Sequence, residues 1–376
     1  MKEMKKIMRL SAVLPMALFI AGCSSDKEQP VAPLEGDFDV VMTVVPSEAE
    51  TRASTQVGSD AENRINNNRL FFGTFEAGGV LKHPLYEAGD KNANVKAHFF
   101  IPSWGPSVAA KLPKEDYKNG FYTAAFSIPE KMNGTKKLNN LNDAAFTTLS
   151  WPDKTIIWTP GGEDEDNNIP MAAVNHITAQ YMSEYYNSLV YDDNNPLRLP
   201  ELKLTRAMAK VIVEDVDGII QNITLTSKDK GSILPNIDDL LNGAAIVRPE
   251  TAAGATDMKQ TISATGVAGA VYVFYAFEQS FYNADGTLAV ADDPARKLIS
   301  LEPKDSRLGT ATIAIAPYAG GYVNTEAALS TLDGGAWQGL KRNTIYHFRV
   351  KKPAVGGIEI EVKPGEWQTH KEFFEF

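Results

Sequence analysis

The chain has 376 residues, 43% hydrophobic and 22% charged, a globular composition with length for about two domains, which excludes a disordered or low-complexity protein. Its formal charge of −10 gives an acidic surface that repels phosphate backbones, so nucleic acid is excluded as the expected partner. The single cysteine excludes an internal disulfide and a thiolate metal cluster.

In chain order, Lys2, Lys5, Lys6 and Arg9 make a basic start, relieved only by Glu3. Leu10 to Ile20 is an apolar stretch of signal-peptide length, too short to cross a bilayer as a helix, and Ile20-Ala21-Gly22-Cys23 closes it with small residues. That closing tetrapeptide resembles a bacterial lipobox. Residues 1–22 are then a lipoprotein signal peptide, whose net +3 leaves about −13 on the rest, and Cys23 becomes the lipidation site, palmitate included. Several acyl chains hold a protein to a membrane where one does not. Export also places the chain in an oxidising compartment. Ser24 to Asp37 is a polar tether with nothing to pack, and SSDKE after the cysteine resembles the acidic tract that directs some lipoproteins of Bacteroidia to the cell surface.

The first strand follows. In FDVVMTVV, Phe38, Val40, Met42 and Val44 share one face, while Asp39, Val41, Thr43 and Val45 share the other. Pro46 closes the strand, and Ser47 to Ser54 is polar, exposed and open to proteases. Arg52 before Ala53 is a trypsin-type site in that loop, with Arg64 as a second choice and an ordinary exposed arginine as the bland alternative. The strand is expected at an edge of the first β layer, where it is either a permanent part or a removable one.

From Glu62 onward, short apolar runs are bounded by Gly and Pro: RLFFGTFEAGGVL, AHFFIPSW, GFYTAAFSIP and TIIWTP. Pro102 to Gly120 and Lys131 to Asp143 read as exposed loops, and Met171 to Val190 as the helix candidate of this half. After the turn-rich Tyr191 to Pro196, the chain starts again with ELKLTRAMAKVIVEDV, read as one long strand. IIQNITLTS, AVYVFYAF, KLISLEP, ATIAIAPY, TIYHFRVKK and GIEIEVKP follow at strand length. The expected fold class is all-β with a minor helix, as two tandem β-sandwiches of transthyretin-like or immunoglobulin-like kind. The expected division is 23–52 as tether and first strand, 53–199 as the first sandwich and 200–376 as the second, with a tail.

Catalytic chemistry finds little support. His83, His98, His176, His347 and His370 are scattered, and no nucleophile has a nearby base. Glu163 to Asp166 lacks the alternating ligands of a calcium loop, and Gly161-Gly162 and Gly320-Gly321 lack the Lys-Ser/Thr of a phosphate cradle. Trp104, Trp151, Trp158, Trp337 and Trp367 suit packing, with sugar stacking as the alternative. No cofactor, metal or enzymatic activity is expected.

Several segments carry a resemblance: Glu62-Asn63 leading to Leu70–Phe75, Ile169-Pro170-Met171, LTRAMAKVIV, KRNTIYHFRV, and IEIEVKPGEW ending at Trp367. With the lipobox, tether, alternating strand and Arg52 loop before them, the chain resembles the fimbrillin family, the type V pilus subunits of Bacteroidia. The resemblance implies a lipid-anchored precursor at the outer membrane and an arginine-specific surface protease cutting between Arg52 and Ala53. It also implies displacement of the strand bearing Phe38, Val40, Met42 and Val44, and its replacement by another pilus subunit in a surface fimbrium that serves adhesion. QTHKEFFEF after Trp367, with Phe373, Phe374 and Phe376, is the expected donor tail, with GIEIEV as a further contributor. The competing class is a monomeric surface lipoprotein that binds glycans or a host protein.

Overall fold

The computed structural model describes residues 37–46, 56–57, 70–82, 86–87, 95–99, 106–113, 118–127, 148–150, 169–186, 197–244, 247–282, 287, 297–308, 311–314, 323–324, 339–352 and 359–368. All lie in one compact unit, Glu35–Phe376. The fold is all-β with minor helix.

The first part of the chain supplies β1 (Asp37–Pro46), β2 (Gln56–Val57), β3 (Leu70–Glu76), β4 (Tyr86–Glu87), β5 (Val95–Phe99), β6 (Pro106–Pro113), β7 (Gly120–Ser127), β8 (Thr148–Ser150) and β9 (Met171–Thr178). Helix α1 (Ala179–Tyr186), β10 (Leu197–Arg198) and β11 (Leu202–Arg206) complete it. A nine-stranded sheet runs in the order β4-β3-β7-β9-β11-β1-β6-β5, with β10 beside β1. Its central strands β3 and β7 are buried on both faces, which is why their sequences, LFFGTFE and GFYTAAFS, run apolar without alternation. Gly120 opens β7 at φ +88, where a Cβ would lie 2.7 Å from the Ile177 carbonyl oxygen, so the close β7–β9 approach requires glycine there.

The second part supplies β12 (Met208–Asp215), β13 (Ile220–Lys228), β14 (Lys230–Ser232), helix α2 (Ile237–Leu241), β15 (Asp257–Ser263), β16 (Ala270–Phe277), β17 (Gln279–Ser280) and β18 (Lys297–Pro303). It ends with β19 (Ala311–Ala314), β20 (Val323–Asn324), β21 (Gly339–Leu340), β22 (Thr344–Lys351) and β23 (Glu359–Gln368). A six-stranded sheet, β16-β12-β22-β23-β2 with β20 beside β23, faces a four-stranded sheet, β15-β13-β18-β19. Val211, Val213, Ile223, Leu225, Phe274 and Phe348 fill the space between them. The other face of the six-stranded sheet, with Met208, Ile212, Tyr275 and Phe277, packs on Phe71, Phe75, Tyr122 and Phe126 of the nine-stranded sheet. β3 thus turns Phe71 and Phe75 to this contact and Leu70 and Phe72 to a separate core on its far face.

Four expectations are corrected. Met171 to Thr178 is a strand paired with β7 along its whole length, and the helix begins only at Ala179, where the Thr178 hydroxyl caps it by accepting the Tyr181 amide at 3.1 Å. ELKLTRAMAKVIVEDV is two strands, because the chain leaves the nine-stranded sheet at Arg206 and enters the six-stranded one at Met208. Pro102 to Gly120 contains a full strand, β6. The first strand is no edge: it has partners on both sides.

Candidate subunit interface

β1 forms as a strand because DFDVVMTVVP concentrates β-branched residues at alternating positions and ends in proline. On one flank it runs antiparallel to β6 from Asp37↔Pro113 to Thr43↔Ser107. On the other it runs parallel to β10 at Val40↔Leu197 and Val41↔Arg198, and then to β11 from Val44↔Leu202 to Pro46↔Leu204. In register, Asp39 stands opposite Lys111.

The apolar face is buried to completion: Val40, Met42 and Val44 are each 0% exposed, whereas Thr43 on the opposite face is half-buried. The three join Leu197, Leu199, Leu202, Leu204 and Phe72 in one cluster, which Met182 of α1 also enters. β1 is therefore the middle rib of a sheet, filling a slot with an apolar floor and a hydrogen-bonding wall on each side.

The fixed character of one wall comes from a buried polar knot. Arg206, 1% exposed, donates from Nη1 to Asn343 Oδ1 at 3.2 Å. The Ala207 amide donates to the Pro170 carbonyl, and the amide of Asn343, at φ 52, donates to the Met208 carbonyl. Beside it, Arg342 donates from Nε to Glu278 Oε2 at 2.9 Å and from its two terminal nitrogens to the carbonyls of Ser232, Ile233 and Leu234. These bonds fasten the passage from β11 into β12.

Of the residues singled out from sequence, Val40, Met42 and Val44 come together against the slot floor, and Phe38 pairs through its backbone with Leu112. Cys23, Arg52, Ala53, Arg64, Phe373, Phe374 and Phe376 lie outside the described residues. Residues 47–55, which include Arg52, connect β1 in one sheet to β2 in another, where Gln56 and Val57 run parallel to Trp367 and Gln368. Ile360 to Val362 pair with β22, so that part of GIEIEV is already committed within its own sheet. Sequence reasoning missed β2, β6 and β10; the prolines at both ends of PSVAAKLP were the one available sign of β6.

Other chemistry is sparse. Among the described residues no group of three His, Cys, Asp or Glu side chains gathers as a metal site, and no helix is long and apolar enough to cross a membrane.

The fold resembles that of a fimbrial tip protein. The solved structure of the tip fimbrial protein Mfa3 from Porphyromonas gingivalis, with a C-terminal truncation, matches 88% of this chain and 100% of its own at a TM-score of 0.50 and 15% sequence identity. At that identity the likeness to Mfa3 is one of fold. A candidate adhesin from Bacteroides ovatus matches 86% of this chain and 92% of its own, but at 9% identity and a TM-score of 0.29 it does not bear on the fold. No protein-family model and no curated protein matches the sequence.

Proposed function

We propose that this protein is a structural subunit of a cell-surface fimbrium that serves adhesion, held first at the outer membrane by lipid on Cys23 and assembled by strand exchange after cleavage between Arg52 and Ala53. The observation that carries this reading is the place of β1, a strand with a fully buried apolar face and a ladder on each side, followed directly by the connection that holds Arg52. The shared fold with a fimbrial tip protein supports it.

The physics of exchange follows from the slot. Loss of β1 uncovers backbone donors and acceptors on both walls, each costing about 1–3 kcal/mol if it stays dry, together with the floor that Val40, Met42 and Val44 had covered. An extended segment from another subunit offsets both losses: main-chain bonds supply affinity, and alternate side chains on the floor supply selectivity. Donor and acceptor surfaces differ, so the contact is head-to-tail, does not close, and builds a filament. The donor is the segment after β23 that bears Phe373, Phe374 and Phe376, and the 53–199 and 200–376 parts travel together in the mature subunit. The partners are other pilus subunits and an arginine-specific surface protease. No catalysis is asked of the subunit.

N-terminal sequencing of protein sheared from cells tests this. The expected product starts at Ala53 and runs as SDS-resistant ladders, and Arg52→Ala abolishes both. Sheared protein that keeps its lipid and an intact Thr51-Arg52-Ala53, as single molecules, would overturn the proposal and leave a monomeric surface lipoprotein that binds glycans or a host protein.

A further inference from the structure

The nine-stranded sheet has one join that everything beyond it depends on. Among the described residues, β6 has ladders to β1 and β5, and β5 has a ladder to β6. The β5–β6 pair therefore reaches the rest of the sheet through β1. The opposite wall is differently held: β11 is bonded to β9 at Thr205 and Arg206, continues through Ala207 into β12, and is anchored by the buried Arg206 on Asn343. A strand enclosed by ladders on both flanks cannot be replaced from the side unless one wall moves, and among the described residues the β6 side is the wall whose ladders lead only to β1 and to the terminal strand β5.

We propose that β5 and β6 form a hinged wall of the slot: when β1 leaves, they part from the sheet as a pair, admit an incoming strand, and close over it. This rests on the strand-exchange reading above and narrows its partner. The occupant is an extended peptide with apolar side chains at three alternate positions, matching the fully buried Val40, Met42 and Val44, and it runs in the direction of β1. Direction follows from the ladders. The seven pairs with β6 are antiparallel, and the two with β10 and three with β11 are parallel. Antiparallel pairing is the slightly more stable kind, so a reversed strand would convert the longer ladder to the weaker one.

The test uses the full chain without cutting it. Met42→Asp and, separately, Val44→Asp place a carboxylate at a fully buried position facing the slot floor and drive β1 out, so neither a protease nor a polymer is needed. Amide hydrogen exchange is then read strand by strand. In both variants, amides of residues 95–99 and 107–112 are expected to exchange at least about tenfold faster, while those of β7, β9, β12 and β22 keep their protection. A synthetic peptide with the Asp37–Pro46 sequence slows the β5 and β6 amides again, and a spin label on its N-terminus broadens the amide signals around Leu112 rather than those around Leu204. Unchanged β6 protection once the β1 amides have become exposed would overturn the hinged wall, as would loss of protection through β7 and β9 as well. Broadening around Leu204 instead would overturn the direction. Failure of cells to cleave at Arg52 would sink the fimbrial reading and leave this measurement untouched.

Discussion

Arg342 is a cation enclosed by the protein, with its side chain 7% exposed and that of its partner Glu278 5% exposed. Such a pair adds little over an apolar replacement of both, but removing one member strands the other and costs about 3–5 kcal/mol. Arg342→Met also takes donors from three carbonyls, at Ser232, Ile233 and Leu234. It should lower the unfolding free energy by that amount in urea titration, and adding Glu278→Gln should restore part of it, since the two changes share one network. Asp239 is a second polar anchor. The Arg248 guanidinium bonded to it holds its carboxyl below the ordinary value of 3.8, against the opposing effect of burial. A depressed carboxyl stabilises the fold above its unfolded value, and that contribution drains away as pH falls below about 3.8 and through the lowered folded value. Asp239→Asn should therefore flatten the acid limb of a melting-temperature profile while losing stability near neutrality.

At the scale of the element, strands that carry their own signal were legible, and those defined by a distant neighbour were not. β3, β7 and β16 announce themselves as apolar runs, and β1 as an alternation whose buried face, at Val40, Met42 and Val44, was read correctly. β6 was hidden in an alanine-containing stretch between prolines, where intrinsic β preference is weak and pairing with β1 supplies the stability. β9 lies inside the helix candidate Met171 to Val190, and MAAVNHIT does offer two alanines and a methionine, good helix formers; eight cross-strand pairs with β7 outweigh that preference. The candidate site suffered most from this limit. The face that fills it belongs to one short segment and could be read, but its floor comes in part from β3 and α1 and its walls from β6, β10 and β11, and no local pattern says that Val40 will lie beside Leu197.

Across the whole molecule, the contact between the sheets is a core rather than a seam. Phe71, Phe75, Tyr122 and Phe126 of one sheet share a cluster with Ile212, Tyr275 and Phe277 of another, and a large apolar contact ties parts of a chain into one cooperative unit. Scanning calorimetry of the full chain should give a single transition whose calorimetric and van't Hoff enthalpies agree; two resolved transitions would show that the sheets melt independently. The double-sided seating of β1 has a mechanical corollary. A strand drawn out by its end from between two ladders is loaded in shear, so the pairs along both flanks resist together instead of opening one after another. Any chain that replaces β1 inherits that geometry, and its lifetime under the drag of flowing liquid becomes a matter of rupture rate, set by how many bonds share the load at once.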